Sequence, residues 1–522
     1  MISGTMPILS PVETTSRSPK LGVERSMQLR QLVQAIPSAV VEGPVDREIT
    51  GITYDSRRVT PGMVFVAIPG RNTDGHEYIS SALDRGAAAV ICERTRLVPP
   101  RATCIRVPDV REAMACAARS YYQNPSAKLK VIGVTGTNGK TTVAFMIKTI
   151  LEAAGISAGL LGTVRYEIGD RVIPAARTTP ESLEVQQMMS QMLKAGCAAC
   201  VMEVSSHALE QKRVRGVEFD VAIFTNLTRD HLDYHGTMEN YFAAKKKLFA
   251  ALEQGTKKAA AVINIDDAFG ARLAGTTKVE VELNFGLGQS ARLRATKIEL
   301  GPDGSRFVVE TPERKFALRL PLIGRHNIYN ALAAVGACLA LKVDVVKIQA
   351  ALNKMPPVPG RLERVDGRHP FAVFVDYAHT DDALRNVLTT LRELTKGRVL
   401  LAFGCGGNRD AGKRQRMGRV AAELADFTLI TSDNPRKEDP AQIAAQIEEG
   451  YRTARTEACA VELDRRRAIQ QIIGKAEPGD IVLIAGKGHE TYQEFEDTVV
   501  PFDDRIHAQE ALDIVEGGRD RV

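Results

Sequence analysis

Residues 131–142 read Val-Ile-Gly-Val-Thr-Gly-Thr-Asn-Gly-Lys-Thr-Thr. An apolar run enters a glycine turn and then a helical pattern that ends near Gly155. Glycines at 136 and 139 let backbone N–H groups approach phosphate oxygens, and the start of a helix adds positive potential. Across Gly136, Thr137, Asn138, Gly139, Lys140, Thr141 and Thr142, Lys140 can reach terminal phosphates and Thr141 can ligate Mg²⁺. Position 134 is Val134, so the match is to the short form Gly136-x-x-Gly139-Lys140-Thr141. The alternative is a tight strand–helix turn; Gly-Lys-Thr in a strand–helix context favours the phosphate site.

Two further clusters follow apolar runs: Glu203-Val-Ser-Ser-His207 and the stretch from Asn226 to Asp233, which contains His231. Mg²⁺ on a nucleotide takes one or two protein ligands besides phosphate and water, so Glu203 and His231 are candidate partners of the metal. In the segment 241–249, Tyr241, Lys245, Leu248 and Phe249 share one helical stripe, off which Lys246 and Lys247 fall. A lysine on that apolar face would be desolvated and its pKa lowered. Periodicity alone favours a surface lysine triplet. Asn327 and Asn330 open an Ala-rich helix and can cap it or hold an adenine. Arg361 follows a proline-rich stretch, and Asp376 ends an apolar run, where it can accept from ribose hydroxyls. Three polar loops close the series. They carry Arg409, then Asp433-Asn434-Pro435-Arg436, then Gly486 and Glu490. Together they suit a small, multiply charged molecule, with Arg436 and Glu490 offering opposite charges to a zwitterion.

Strands must position these residues. Continuous Val/Ile/Ala runs at 87–92, 131–135, 200–205, 221–226, 260–265, 371–376, 399–404, 427–432 and 481–486 predict strands buried on both faces of parallel sheets. Functional residues then belong at their carboxyl ends. Turn-rich 123–126 and proline-rich 355–360 divide the chain into an N-terminal part at 26–125, a central part at 126–356 and a C-terminal part at 357–522. A length of 522 residues fits about three domains. Ordinary hydrophobic and charged fractions exclude a disordered, collagenous or disulfide-scaffold chain. The net charge of +6 comes without a dense Lys/Arg block, so no nucleic-acid partner is implied. No apolar run approaches the ~18 residues of a membrane helix. Residues 1–25 are rich in Ser, Thr and Pro, lack a signal-peptide core and read as a disordered extension. Eight scattered cysteines point to a reducing, cytoplasmic setting. Cys197 and Cys200 read as a buried strand edge, not as a zinc site.

Nine patches in this order resemble the Mur ligase family: 136–142, 178–180, 203–207, 230–235, 326–330, 360–364, 376–379, 433–436 and 486–490, within about residues 27–520. The resemblance implies an α/β fold of three domains: a smaller N-terminal α/β domain, a central P-loop-type parallel-sheet ATPase domain and a Rossmann-like C-terminal domain. It implies that residues 136–142, Asn327, Arg361 and Asp376 bind ATP, and that Thr141, Glu203 and His231 hold Mg²⁺. Lys245 matches a lysine that the family carbamylates with CO₂, giving N6-carboxylysine. Ser56, Arg71, Asn72, Thr73, Thr178, Thr179, Ser205, Gln211 and Arg213 match contacts to a UDP-N-acetylmuramoyl-dipeptide. Arg409, Asp433, Asn434, Pro435, Arg436, Gly486 and Glu490 match a site for meso-diaminopimelate. The implied reaction converts a carboxylate to an acyl phosphate, which the amino acid then attacks, with Lys140, Glu203, His231 and Lys245 serving the chemistry. A monomer without a membrane partner is expected. The chain departs from the family pattern at Arg177 and Asp381. Rival readings are L-lysine as the amino acid, a folylpolyglutamate synthase-like relative, and a nucleotide-driven switch or transporter ATPase; the last gives the C-terminal Arg and Glu loops no purpose.

Overall fold

A computed structural model describes residues 26–70, 73–100, 102–367 and 369–519. The expected extension at 1–25 and the expected contacts of Arg71 and Asn72 lie outside the described residues. The chain divides after Ala113 into two compact units.

In the first unit a five-stranded sheet runs in the order Val40–Glu42, Cys104–Arg106, Ala89–Cys92, Met63–Val66, Gly51–Thr53. The first pair is antiparallel and the rest parallel. Phe65, Ala67, Ile79, Ala82 and Val90 form its core. Just beyond Gly51–Thr53 comes the short turn Ser56–Arg58, whose preceding Asp55 accepts the Arg57 N–H at 3.1 Å. Beyond the adjacent strand Met63–Val66, the exposed Thr73 accepts the Gly70 N–H at 3.0 Å. Ser56 and Thr73 thus follow the carboxyl ends of two paired parallel strands.

The second unit contains two large sheets. The first has 11 strands, with the parallel set Ala158–Leu161, Ala199–Glu203, Lys130–Thr135, Val221–Phe224 and Ala260–Asn264 adjacent in that order. Along Lys130–Thr135, Val131 packs into one buried cluster while Ile132 and Val134 pack into another. Both faces are covered by helices, which is why the strand is an unbroken apolar run. Chain order reverses at this strand, leaving a crevice at its carboxyl end, where an open α/β sheet offers its binding site. The expected strand 200–205 is observed as Ala199–Glu203. It is flanked by strands on both sides, so Cys200 lies on an interior strand and not at an edge.

The second sheet is ordered Glu363–Val365, Ala372–Asp376, Ile481–Ala485, Val399–Phe403, Phe427–Ile430, Cys459–Val461. All but the first pair are parallel. Its four expected strands appear within two residues of their predicted ends. Their polar loops all leave from the same edge of the sheet.

Candidate active site

Strand Lys130–Thr135 delivers the glycine loop, and helix Lys140–Ala153 leaves it. Gly136 and Gly139 have φ of 147° and 86°. A Cβ there would lie 1.9 Å from Thr225 Oγ1 and 2.3 Å from Asn330 Oδ1, so both positions require glycine. Thr225 donates to the Asn138 carbonyl at 2.6 Å, and the Asn138 N–H donates to Asn226 Oδ1 at 2.9 Å. Lys140 Nζ curls over the loop and donates to the carbonyls of Gly136 and Thr137 at 3.0 and 2.8 Å. Desolvation holds its pKa below the ordinary value, opposed by the charges of Glu203 and Asp230.

At the neighbouring strand end, Glu203 is 1% exposed. Its carboxylate accepts from Thr141 Oγ1 at 3.0 Å, and from the N–H and hydroxyl of Thr163 at 2.8 and 2.9 Å. Arg361 Nη2 donates to Thr141 Oγ1 at 3.1 Å. A threonine hydroxyl against a buried carboxylate beside a phosphate loop is a hard-oxygen donor set that fits Mg²⁺. Among the described residues no three His, Cys, Asp or Glu side chains are gathered to hold a metal.

Helix Met238–Gln254 buries Tyr241, Lys245, Leu248 and Phe249 together. The surface-triplet expectation therefore fails for Lys245, which is 1% exposed, while Lys246 and Lys247 are exposed. Lys245 Nζ donates to the Gly136 carbonyl at 2.8 Å and lies 4.5 Å from the centre of the Tyr241 ring. Burial, with the Lys140 charge nearby, pushes its pKa well below the ordinary lysine value. His231 adopts φ 54° at the start of the turn Leu232–His235. Its ring stands edge-on to His207 at 4.8 Å, and burial draws its pKa down to about 4.

Of the residues expected to contact the UDP-muramoyl-dipeptide, Thr178, Thr179, Ser205, Gln211 and Arg213 lie together in the second unit. Thr178 Oγ1 lies 3.1 Å from Thr163 Oγ1, which can accept from it, and Thr179 Oγ1 donates to the Glu203 carbonyl at 2.8 Å. The Ser205 N–H donates to Thr179 Oγ1 at 3.1 Å. Arg213 donates to the Thr179 carbonyl at 3.1 Å and to Gln211 Oε1 at 2.7 Å.

Other candidates are held by the fold itself. Asn327 Nδ2 donates to the Ile323 carbonyl at 2.8 Å, and Asn330 donates to Asn327 Oδ1 at 3.0 Å, which places Asn330 against Gly139. Asp376 accepts the N–H groups of Leu362 and Ala378 at 2.6 and 2.7 Å and so fixes the segment that carries Arg361.

In the C-terminal loops, Lys487 Nζ donates to Asn434 Oδ1 at 2.9 Å and to Glu490 Oε2 at 3.1 Å. Asn434 Nδ2 also donates to Glu490 Oε2, at 2.9 Å. Burial and the charge of Asp433 raise the Glu490 pKa, opposed by Lys487. Gly486, at φ 112°, lies against Asp433, where a Cβ would sit 2.8 Å from Oδ2. Pro435 packs with its carbonyl on Gly407. Arg436 is tied to Glu494 at 2.8 Å and to the Gly407 carbonyl at 2.9 Å, while Arg409 is exposed on the neighbouring loop. Each charge expected to face a zwitterion thus also has a partner within the chain.

Sequence reasoning missed Thr163, Lys487 and Asp382. The first follows a strand end after Gly162, a signal of the same kind as the others. Lys487 sits inside a loop already singled out. Asp382 Oδ2 accepts from Asn138 Nδ2 at 2.8 Å and from Thr228 Oγ1 at 2.9 Å, a pairing that only the fold creates.

Family models match in three places: "Mur ligase family, catalytic domain" at 48–122, "Mur ligase middle domain" at 134–338 and "Mur ligase, glutamate ligase domain" at 360–488. A UDP-N-acetylmuramoyl-L-alanyl-D-glutamate--2,6-diaminopimelate ligase of Solibacter usitatus (strain Ellin6076) is 46% identical over 491 residues, covering 93% of this chain and 98% of its own. Its namesake from Syntrophomonas wolfei is 44% identical over 486 residues, covering 93% and 99%. A solved structure of a ligase of that name aligns with a TM-score of 0.67 at 32% identity, over 94% of this chain and 99% of that one. A UDP-N-acetylmuramoylalanyl-D-glutamyl-2,6-diaminopimelate--D-alanyl-D-alanyl ligase from Acinetobacter baumannii, 23% identical over 95% of this chain and 99% of that one, shares the fold at a TM-score of 0.63. Identity at this level, sustained over nearly the whole of both sequences, makes the chain a member of the Mur ligase family.

Proposed function

We propose that this chain is an ATP-dependent, ADP-forming ligase that adds meso-2,6-diaminopimelate to the D-glutamate of UDP-N-acetylmuramoyl-L-alanyl-D-glutamate, in peptidoglycan precursor synthesis. The observation that carries the reading is a pair of hydrogen bonds. Arg361 on Thr141 and Asp382 on Asn138 tie the phosphate loop to the segment that continues into the polar C-terminal loops. Such a tie between the glycine loop and the part of the chain that carries the charged loops supports one reaction that joins a phosphorylated acid to an amine. Relatives named for this reaction align over 93% of the chain.

Residues 136–142 cradle the triphosphate, with Asn327, Arg361 and Asp376 on the nucleotide side. Lys140 balances charge on the transferring phosphoryl group. The substrate carboxylate takes that group and becomes an acyl phosphate. The free amine of diaminopimelate attacks it, a tetrahedral intermediate collapses, phosphate leaves and an amide remains. Thr141, Glu203 and His231 would hold Mg²⁺, which supplies charge neutralisation to the phosphates. Lys245, buried and with its pKa drawn well below the ordinary lysine value, is suited to carbamylation by CO₂. Ser56, Arg71, Asn72 and Thr73 serve the UDP moiety; Thr178, Thr179, Ser205, Gln211 and Arg213 serve the muramoyl-peptide. Arg409, Asp433–Arg436, Gly486 and Glu490 hold the amino acid. Residues 26–125, 126–356 and 357–522 divide the substrate, ATP and amino-acid roles. The reading includes a cytoplasmic monomer without nucleic-acid or membrane partners. Among the described residues no helix is long and apolar enough to cross a membrane.

The test is phosphate release with the UDP-muramoyl-dipeptide and each candidate amino acid in turn. Release that depends on both the dipeptide and diaminopimelate is expected. Hydrolysis indifferent to amino acid, or release with lysine exceeding that with diaminopimelate, would overturn the assignment.

A further inference from the structure

Arg465 opens the helix Arg465–Gly474, and its side chain, like that of Asp504, is 0% exposed. The two form a fork, Nε to Oδ1 and Nη2 to Oδ2, each at 2.7 Å. Two further N–H groups reach backbone carbonyls, Nη1 to Ser432 at 3.2 Å and Nη2 to Ala485 at 2.9 Å. Ser432 immediately precedes Asp433, and Ala485 immediately precedes Gly486.

The strands that deliver these loops, Phe427–Ile430 and Ile481–Ala485, are not neighbours, because Val399–Phe403 lies between them. No ladder hydrogen bond therefore joins the two strands directly, and Arg465 bridges their ends beyond the intervening one. The polar groups of the pocket depend on that spacing: Asn434 comes from one loop, Lys487 and Glu490 from the other, and they bond to one another at 2.9–3.1 Å. A recognition site of this kind needs its groups held within about 0.5 Å.

We propose that Arg465 is a positioning residue for amino-acid recognition, setting the gap between loops 432–436 and 485–490 without touching the substrate. The inference rests on the reading that these loops bind diaminopimelate. A purely structural role would lower stability and disturb all three substrates alike; a positioning role raises the KM for the amino acid alone.

The full-length chain carrying both Arg465→Met and Asp504→Leu removes the two charges together, leaves no unpaired buried charge and loses both carbonyl contacts. Its KM for diaminopimelate should rise about tenfold or more, since small misplacements are costly in a positioned site. KM values for ATP and the UDP-muramoyl-dipeptide should stay within about twofold. Asp504→Asn leaves the guanidinium on its carbonyls and should keep the diaminopimelate KM within about threefold even if the protein melts earlier. An unchanged diaminopimelate KM in the double variant, or equal rises for all three substrates, overturns the proposal. Should that variant fail to fold, Arg465→Lys decides: a rise confined to diaminopimelate supports positioning, while no rise or a shared rise refutes it. Failure of the underlying reading shows separately, as an absence of diaminopimelate-dependent phosphate release in the unaltered chain, and removes both.

Discussion

Lys140 and Lys245 donate to the same acceptor, the Gly136 carbonyl oxygen, at 3.0 and 2.8 Å. The Lys140 charge disfavours protonation of Lys245 and adds to the effect of burial. Both amines have pKa values drawn down, that of Lys245 well below the ordinary lysine value.

A neutral buried amine can add to CO₂; a protonated one cannot. Lys245→Ala should therefore lose activity about 100-fold or more and recover partly with added short-chain carboxylates, whereas Lys246→Ala should stay within about twofold. Acid protonates the amine and reverses the carbamate. Activity lost in acidic, CO₂-free buffer should thus return with bicarbonate once the pH is back above the depressed pKa. Intact mass and turnover report both effects, and identical behaviour of the two variants would sink the idea.

Lys140→Ala should lower turnover by about 10³ or more, because the transferring phosphoryl group loses its positioned cation. The protein should remain folded: two hydrogen bonds to loop carbonyls disappear, and the cost of burying the charged amine disappears with them. Near-normal kcat with an unchanged melting curve would remove the phosphate-loop assignment.

What the sequence makes legible follows from which constraints are local. The glycine loop can be read because backbone approach to Thr225 and Asn330 forbids a Cβ at Gly136 and Gly139. The parallel strands can be read because burial on two faces leaves no polar alternation. Lys245 is half legible: its place on the stripe shows, but its acceptor lies 109 residues away. Arg465 is not legible at all. It opens an Arg465-Arg466-Arg467 run that reads as a solvated face, and its burial depends on Asp504, 39 residues along on another helix. The expected facing of Arg436 and Glu490 fails to foresee Glu494 and Lys487, which the hairpin Tyr492–Pro501 and the loop 486–490 bring in as partners.

Lys487 moderates the titration of Glu490. Burial and Asp433 already raise the Glu490 pKa, and Lys487 opposes them. Lys487→Met removes that opposition, so Glu490 should bind its proton at higher pH. A carboxylate loses its charge as pH falls, so the acid limb of kcat/KM for diaminopimelate should move upward in pH relative to the unaltered chain. The KM for ATP should hold. An acid limb that stays in place would mean that Glu490 does not need its charge for recognition.

Arg436 should decide between diaminopimelate and lysine, which lacks the second, distal carboxylate. Discriminating an added charge calls for a charged partner in a fixed fork. The guanidinium has that rigidity: Nε is held by Glu494 at 2.8 Å and Nη1 by the Gly407 carbonyl at 2.9 Å. The backbone is pinned as well, its N–H donating to the Glu494 carbonyl at 3.0 Å and its carbonyl accepting the Glu496 N–H at 2.6 Å. Pro435 stiffens the approach from the other side through its fixed φ. Arg436→Ala should therefore lose about 2–5 kcal/mol of diaminopimelate recognition, the range for removing one member of a buried charge pair. Read as kcat/KM, that is a fall of about 30-fold or more. Weak activity with lysine, which has no distal carboxylate to lose, should change far less. Equal losses for both amino acids would place Arg436 in holding the hairpin Tyr492–Pro501, through Glu494, and not in choosing the substrate.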